Sequence, residues 1–116
     1  MKSYREFSES VEGDELYLFI VNHAQLYRQR LQPIYKNAIT KMARDQYDSR
    51  KAVKLFMYAV DDGAKLYSKE FSTGNDARAM FPKDVREYVA MRLRDEFEVE
   101  AAEGNHDELL PKKYRN

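Results

Sequence analysis

Lys41, Arg44, Arg50, Lys51 and Lys54 lie close together in the chain and flank Tyr47. Cations around an aromatic ring suit a nucleic acid, whose phosphates take the charge and whose bases stack on the ring. They equally suit an acidic protein surface, where they would steer association. The competing reading is bland. In it these cations solvate the outer faces of two helices and pair with the acidic residues of the last one: Asp95, Glu96, Glu98, Glu100 and Glu103.

Other chemistry is poorly represented. His23 and His106 are the only histidines, and neither sits in H-x-x-x-H or H-E-x-x-H spacing. His23 continues an apolar stripe, which predicts a core or capping role. The absence of Cys removes disulfides, thiolate ligands and thiol nucleophiles, and it fits a reducing compartment. There is no G-x-S-x-G, G-x-x-x-x-G-K-[ST] or G-x-G-x-x-G, and Ser49 and Ser68 have no His near them in sequence. Asp61–Asp62 and Asp95–Glu96 read as solvated carboxylate pairs. The expectation is therefore a protein with no catalytic residue, no metal and no cofactor.

The elements that must carry these residues are helical. The 116 residues suit one domain, 1–116, large enough to bury a core without staples. Apolar residues make up 43% and charged residues 34%, the balance of a folded chain. "LYLFIV" (16–21) is too short to span a membrane, and no basic stretch before it suggests a signal peptide. Net charge is zero but unevenly spread. Residues 1–22 hold two basic and five acidic side chains (−3), residues 23–71 ten and five (+5), residues 72–116 eight and ten (−2). A basic middle between acidic ends favours intramolecular or head-to-tail pairing over bulk attraction to nucleic acid.

Gly13 and Asp14 suggest a helix start, so "ELYLFIV" is read as a short helix; a lone strand would have no partner. Asn22 with Gln25 resembles a capping box. Tyr27, Leu31, Ile34, Ala38 and Met42 keep a helical stripe, with a kink or restart near Gln32 imposed by Pro33. Asp48 is placed to cap the next helix. Its stripe is Ala52, Leu55, Phe56, Ala59, Val60, Gly63 and Tyr67, with Gly63 and Ala59 allowing close approach of another helix. Tyr58, Tyr67 and Tyr88 read as core edges with the hydroxyl outside. "STGN" (72–75) reads as a loop, and Asn75 as the cap of one turn through Met80. Pro82 is expected at a first helical position, followed by a buried stripe of Val85, Val89, Leu93 and Phe97. Gly104 is the expected C-terminal cap. Residues 1–13 and 106–116 read as flexible ends, although "LLP" has the composition to dock. The sum is an all-α single domain of three main helices plus one or two short ones.

Four stretches, "LYRQRLQPIYKNAITK" (26–41), "YDSRKAVKLFMYAVDDGAKLYSKEF" (47–71), "MFPKDVREYVA" (80–90) and "FEVEAAEGNHDELLPKKY" (97–114), resemble a group of small proteins encoded by tailed phages and other mobile elements. The resemblance departs at 72–80, where those proteins carry a Trp and this chain has none. It implies no activity and no catalytic residue, only a setting: expression in the cytoplasm of a bacterial host cell. In that setting the expected function is a non-enzymatic accessory protein that binds and modulates a host or phage protein, for example to block a defence or metabolic enzyme. Nucleic-acid or nucleotide binding through the basic corner is the alternative, and a virion or assembly component the third. No membrane partner is expected.

Overall fold

The computed structural model describes residues 2–71 and 80–114, and of residues 2–11 only the backbone. In chain order it holds α1 (Lys2–Val21), a single short turn α2 (Ala24–Leu26), a π-helical turn (Tyr27–Leu31), α3 (Gln32–Ala43), α4 (Ser49–Glu70) and α5 (Lys83–Ala102). Two 3-10 turns, Asp107–Leu109 and Lys112–Tyr114, follow. Among the described residues there is no strand, so the all-α class holds. The expected loop at 72–75 and the cap at Asn75 lie outside the described residues.

Among the described residues there are four long helices, because the helix expected to be short, α1, does not start at Asp14. It runs from Lys2 through Gly13. Gly13 is a packing contact, not a boundary: a Cβ there would stand 2.5 Å from the Tyr88 ring. The stretch 2–13, read as a flexible lead-in, is thus helical.

α4 is the central element and packs most extensively on α5 and then on α1. Ala52, Phe56, Ala59, Val60, Gly63 and Ala64 are its buried stripe. Gly63 does what its spacing predicts: a Cβ would come within 2.5 Å of Ile20 Cγ1, so the Ile20 side chain occupies that space. Val85, Val89, Leu93 and Phe97 of α5 are all buried. Its start differs by one residue, with Pro82 as the N-cap and Lys83 the first helical residue.

The segment before α3 departs most from a simple period. The Gln32 N–H donates to the Tyr27 carbonyl, five residues back. Pro33 lacks an N–H and would crowd the preceding turn, and a widened turn relieves both problems. The extra residue shifts the apolar stripe. Leu26, Leu31, Tyr35, Ala38 and Ile39 are buried, while Tyr27 is exposed and Ile34 and Met42 only half-buried. The expected Asn22 cap is replaced by His23, whose Nδ1 accepts from the Leu26 N–H at 3.4 Å.

α3 and α5 end in the same way. After α3, Gln46 N–H donates to Lys41 O and Asp45 N–H to Met42 O, with Asp45 at φ 59°. After α5, Asn105 N–H donates to Glu100 O and Gly104 N–H to Ala101 O, with Gly104 at φ 80°. Both are Schellman caps. Gly104 therefore plays its expected part, and the chain then turns back onto the core instead of trailing away. His106 is buried with its ring 4.5 Å from Tyr35 and 5.2 Å from Phe97, and Leu110 is buried beyond it.

Candidate functional site

The connection between α3 and α4 is so short that Lys41, Arg44, Tyr47, Arg50 and Lys51 meet at one corner, with Lys54 one turn further along α4. Asp48 starts α4 as expected, its carboxylate accepting from the N–H groups of Arg50 (2.9 Å) and Lys51 (3.4 Å). Lys41 is half-buried and lines, with Tyr47, Asp48 and Lys51, a pocket of about 30 Å³. That volume suits a single water molecule. Arg44 is exposed and already engaged: its Nε donates to the Tyr114 hydroxyl at 2.8 Å, and its guanidinium lies 5.8 Å from that ring's centroid. Arg50, Lys51 and Lys54 are exposed.

Tyr47 does not join them at the surface. It is half-buried, 6.1 Å from the Phe97 ring, and its hydroxyl donates to Glu98 Oε2 at 2.7 Å. Burial, and then that hydrogen bond, push its phenol well above the ordinary range. A ring held this way is no platform for a base. Tyr58, read as a core edge, is instead 68% exposed.

The expected pairing with α5 does not form either. Glu98 accepts from Tyr47 and Ser49, Glu96 engages Tyr17 and Arg92, Asp95 pairs with Arg94, and Glu100 with His106. Among the described residues, Lys41, Arg50, Lys51 and Lys54 make no ion pair.

The cations also extend further than the corner. Lys51, Lys54, Tyr58, Lys65 and Lys69 follow one another at helical spacing on the exposed side of α4. At 1.5 Å per residue this stripe is about 27 Å long. Asp61 and Asp62 would interrupt it, but Asp61 is bound by Arg86 at 2.5 Å and Asp62 by Arg30. At its far end Lys65, Lys69 and Arg30 border a groove of about 260 Å³ floored by Leu26 and Leu66. Lys65 and Lys69 were not among the residues singled out above, and Tyr58 was read only as a core edge. Mixed three- and four-residue steps from Lys51 along α4, through 54, 58, 61, 65 and 69, would have found them.

The helix ends divide the corner into two kinds of cation. Lys41 and Arg44 sit at the C-terminus of α3, where the macrodipole favours positive charge. Arg50 and Lys51 occupy the first turn of α4, which contains no acidic residue. There the macrodipole opposes them by roughly 0.3–1 kcal/mol each. A merely solvated face has no reason to place charge against the helix field.

Among the described residues, no group of three or more His, Asp or Glu is arranged to hold a metal. None of their helices is long and apolar enough to cross a membrane. No family model, curated protein or solved structure matches the chain.

Proposed function

We propose that the chain is a non-enzymatic binding protein that docks on an acidic surface of another protein through the outward stripe of α4. Its setting is the one the resemblance implies, a bacterial cell carrying a phage or mobile element, where it modulates the protein it binds. One observation carries the reading. Arg50 and the cations of the stripe have no ion-pair partner among the described residues, and two of these, Arg50 and Lys51, stand in the first turn of α4 against its macrodipole. Tyr58 adds an exposed ring at mid-stripe, the kind of anchor that interfaces favour. The inward turn of Tyr47 removes the stacking ring that a nucleic-acid reading places at the corner.

The test is capture from host lysate on the immobilised full chain, repeated with Lys51→Glu plus Lys54→Glu and with Tyr58→Ala. A partner of low isoelectric point should be retained by the native chain and lost by both variants, with association slowing most at low salt. Equal retention by all three overturns the assignment of the stripe. A parallel titration against DNA and RNA gives the alternative its chance. Affinity falling linearly with the logarithm of salt, with a slope reduced by about 0.7–0.9 per cation removed, would hand the stripe to nucleic acid. Recovery of the chain in purified particles would make it an assembly component.

A further inference from the structure

A second surface has the opposite character. The C-terminal turns of α1 and α4 meet beside an open groove of about 470 Å³. Three aromatic rings wall it. Phe19 meets Tyr67 at 5.2 Å and 76°, Phe19 meets Phe71 at 6.1 Å and 61°, and Tyr67 meets Phe71 at 4.5 Å and 40°. None of the three pairs is stacked face to face. Phe71 is 57% exposed, and the core makes no use of it.

Negative charge collects at the same place. Glu15 lines the groove, and its Oε1 accepts from the Tyr67 hydroxyl at 2.5 Å. Glu70 Oε1 lies 3.0 Å from His23 Nε2. His23 Nδ1 is taken as acceptor by the Leu26 N–H, so the hydrogen given to Glu70 is the one on Nε2. Both carboxylates keep unused acceptor positions. α1 ends at Val21 with no basic residue in its last turn, whereas α4 ends at Glu70 with Lys69 in its last turn. The uncompensated negative end of α1 therefore adds to the two carboxylates. Among the described residues no Lys or Arg lines the groove.

The geometry points to a guanidinium as the group this groove takes, and we propose that it receives an arginine side chain of a partner polypeptide. A guanidinium is planar, stacks on aromatic faces and presents several donors to carboxylates at once. An ammonium is a strongly hydrated point charge and gains less from the rings. A quaternary ammonium has no hydrogen to give to Glu15 or Glu70. This site does not depend on the basic stripe: Tyr67 is two residues from Lys65 and from Lys69, about half a turn away around α4.

The full chain would be titrated with the capped tripeptide Gly-Arg-Gly, with its lysine counterpart and with its citrulline counterpart. Backbone amide shifts would be followed by NMR. The arginine peptide should give saturable shifts centred on Phe19, His23 and Phe71, at least tenfold weaker with lysine and absent with the isosteric but uncharged citrulline. Phe71→Ala, which removes an exposed ring, and Glu15→Gln, which keeps the acceptor for Tyr67, should each weaken arginine binding about tenfold with an unchanged helix spectrum. Equal response to the three peptides, an unsaturable response, or unaltered binding in both variants would overturn the proposal.

Discussion

Asp45 and Gly104 occupy the same position in the same capping motif, and only one of them is the residue that position prefers. Asp45 has φ 59°, where a side chain with a Cβ is strained and glycine is not. Asp45→Gly should therefore stabilise the chain by about 1 kcal/mol, and Asp45→Val should destabilise it. Chemical denaturation checks both, and a loss with glycine would mean that the Asp45 carboxylate makes a contact worth more than the strain. The phenols supply a second residue-scale test. Tyr17 rises from 10.0 to about 12, first through burial and then because its hydroxyl donates to Glu96. Tyr35 and Tyr47 rise further, in both cases mainly through burial. The folded state thus favours the protonated phenol. That contribution is complete below pH 10 and is lost as pH climbs towards 12. Tyr114 moves the other way, lowered by its hydrogen bond to Arg44. In an alkaline titration, tyrosinate absorbance should show Tyr114 ionising first. Tyr17, Tyr35 and Tyr47 should ionise last, together with loss of the helix signal. A single step near the ordinary tyrosine value with helicity intact would contradict these surroundings.

At the scale of the helix, α4 was the most legible part of the sequence. Its cap at Asp48, its buried stripe and the close approach at Gly63 all follow from spacing, because one uninterrupted helix keeps one phase. In the stripe through 27–42, Leu31 and Ala38 are buried as expected, but Leu26 and Tyr35 take the places of Tyr27 and Ile34, because a π-helical turn adds a residue that no 3.6-residue period anticipates. The candidate corner was half legible. The grouping of Lys41, Arg44, Arg50, Lys51 and Lys54 followed from the short connection. The inward turn of Tyr47 did not, since it depends on Glu98, remote in sequence and brought close only by the packing of α5 on α4. The N-terminal turn of α4 yields a prediction of its own. Lys51 is the third helical residue after Asp48. A glutamate there would complete a capping box and suit the macrodipole. Lys51→Glu should raise stability by about 0.5–1 kcal/mol, more at low salt than at high. Lys54→Glu, beyond the first turn, should do less. Destabilisation by Lys51→Glu would reveal an intramolecular partner for the lysine and remove the argument that its placement serves a second protein.

The molecule measures 48 × 33 × 19 Å, and its smallest dimension is that of two helix layers. So thin a body has little core to spare at its ends, and the segment after Gly104 closes one of them. No periodicity marks 106–114, so the sequence reads as a tail. What holds it is a few side chains meeting a surface assembled from α3 and α5: His106 on Tyr35 and Phe97, and Leu110 in the core cluster. A chain ending at Asn105 should lose about 1.5–3 kcal/mol for Leu110 and about 0.5–1.5 kcal/mol for the ring contacts of His106. It should also bind a hydrophobic dye at the uncovered Tyr35 and Phe97. A chain ending at Lys113 separates this role from the one at the corner. It keeps His106 and Leu110 but removes Tyr114 and with it the hydrogen bond to Arg44. Its stability should fall by less than the longer cut costs, because Tyr114 is only partly buried against the core. The early-ionising tyrosine should vanish from the alkaline titration, and Arg44 should be released to add to the positive corner. If the shorter cut costs as much as the longer one, the tail is held by Tyr114 and Arg44 at the rim, and His106 and Leu110 follow it into the core rather than anchoring it there.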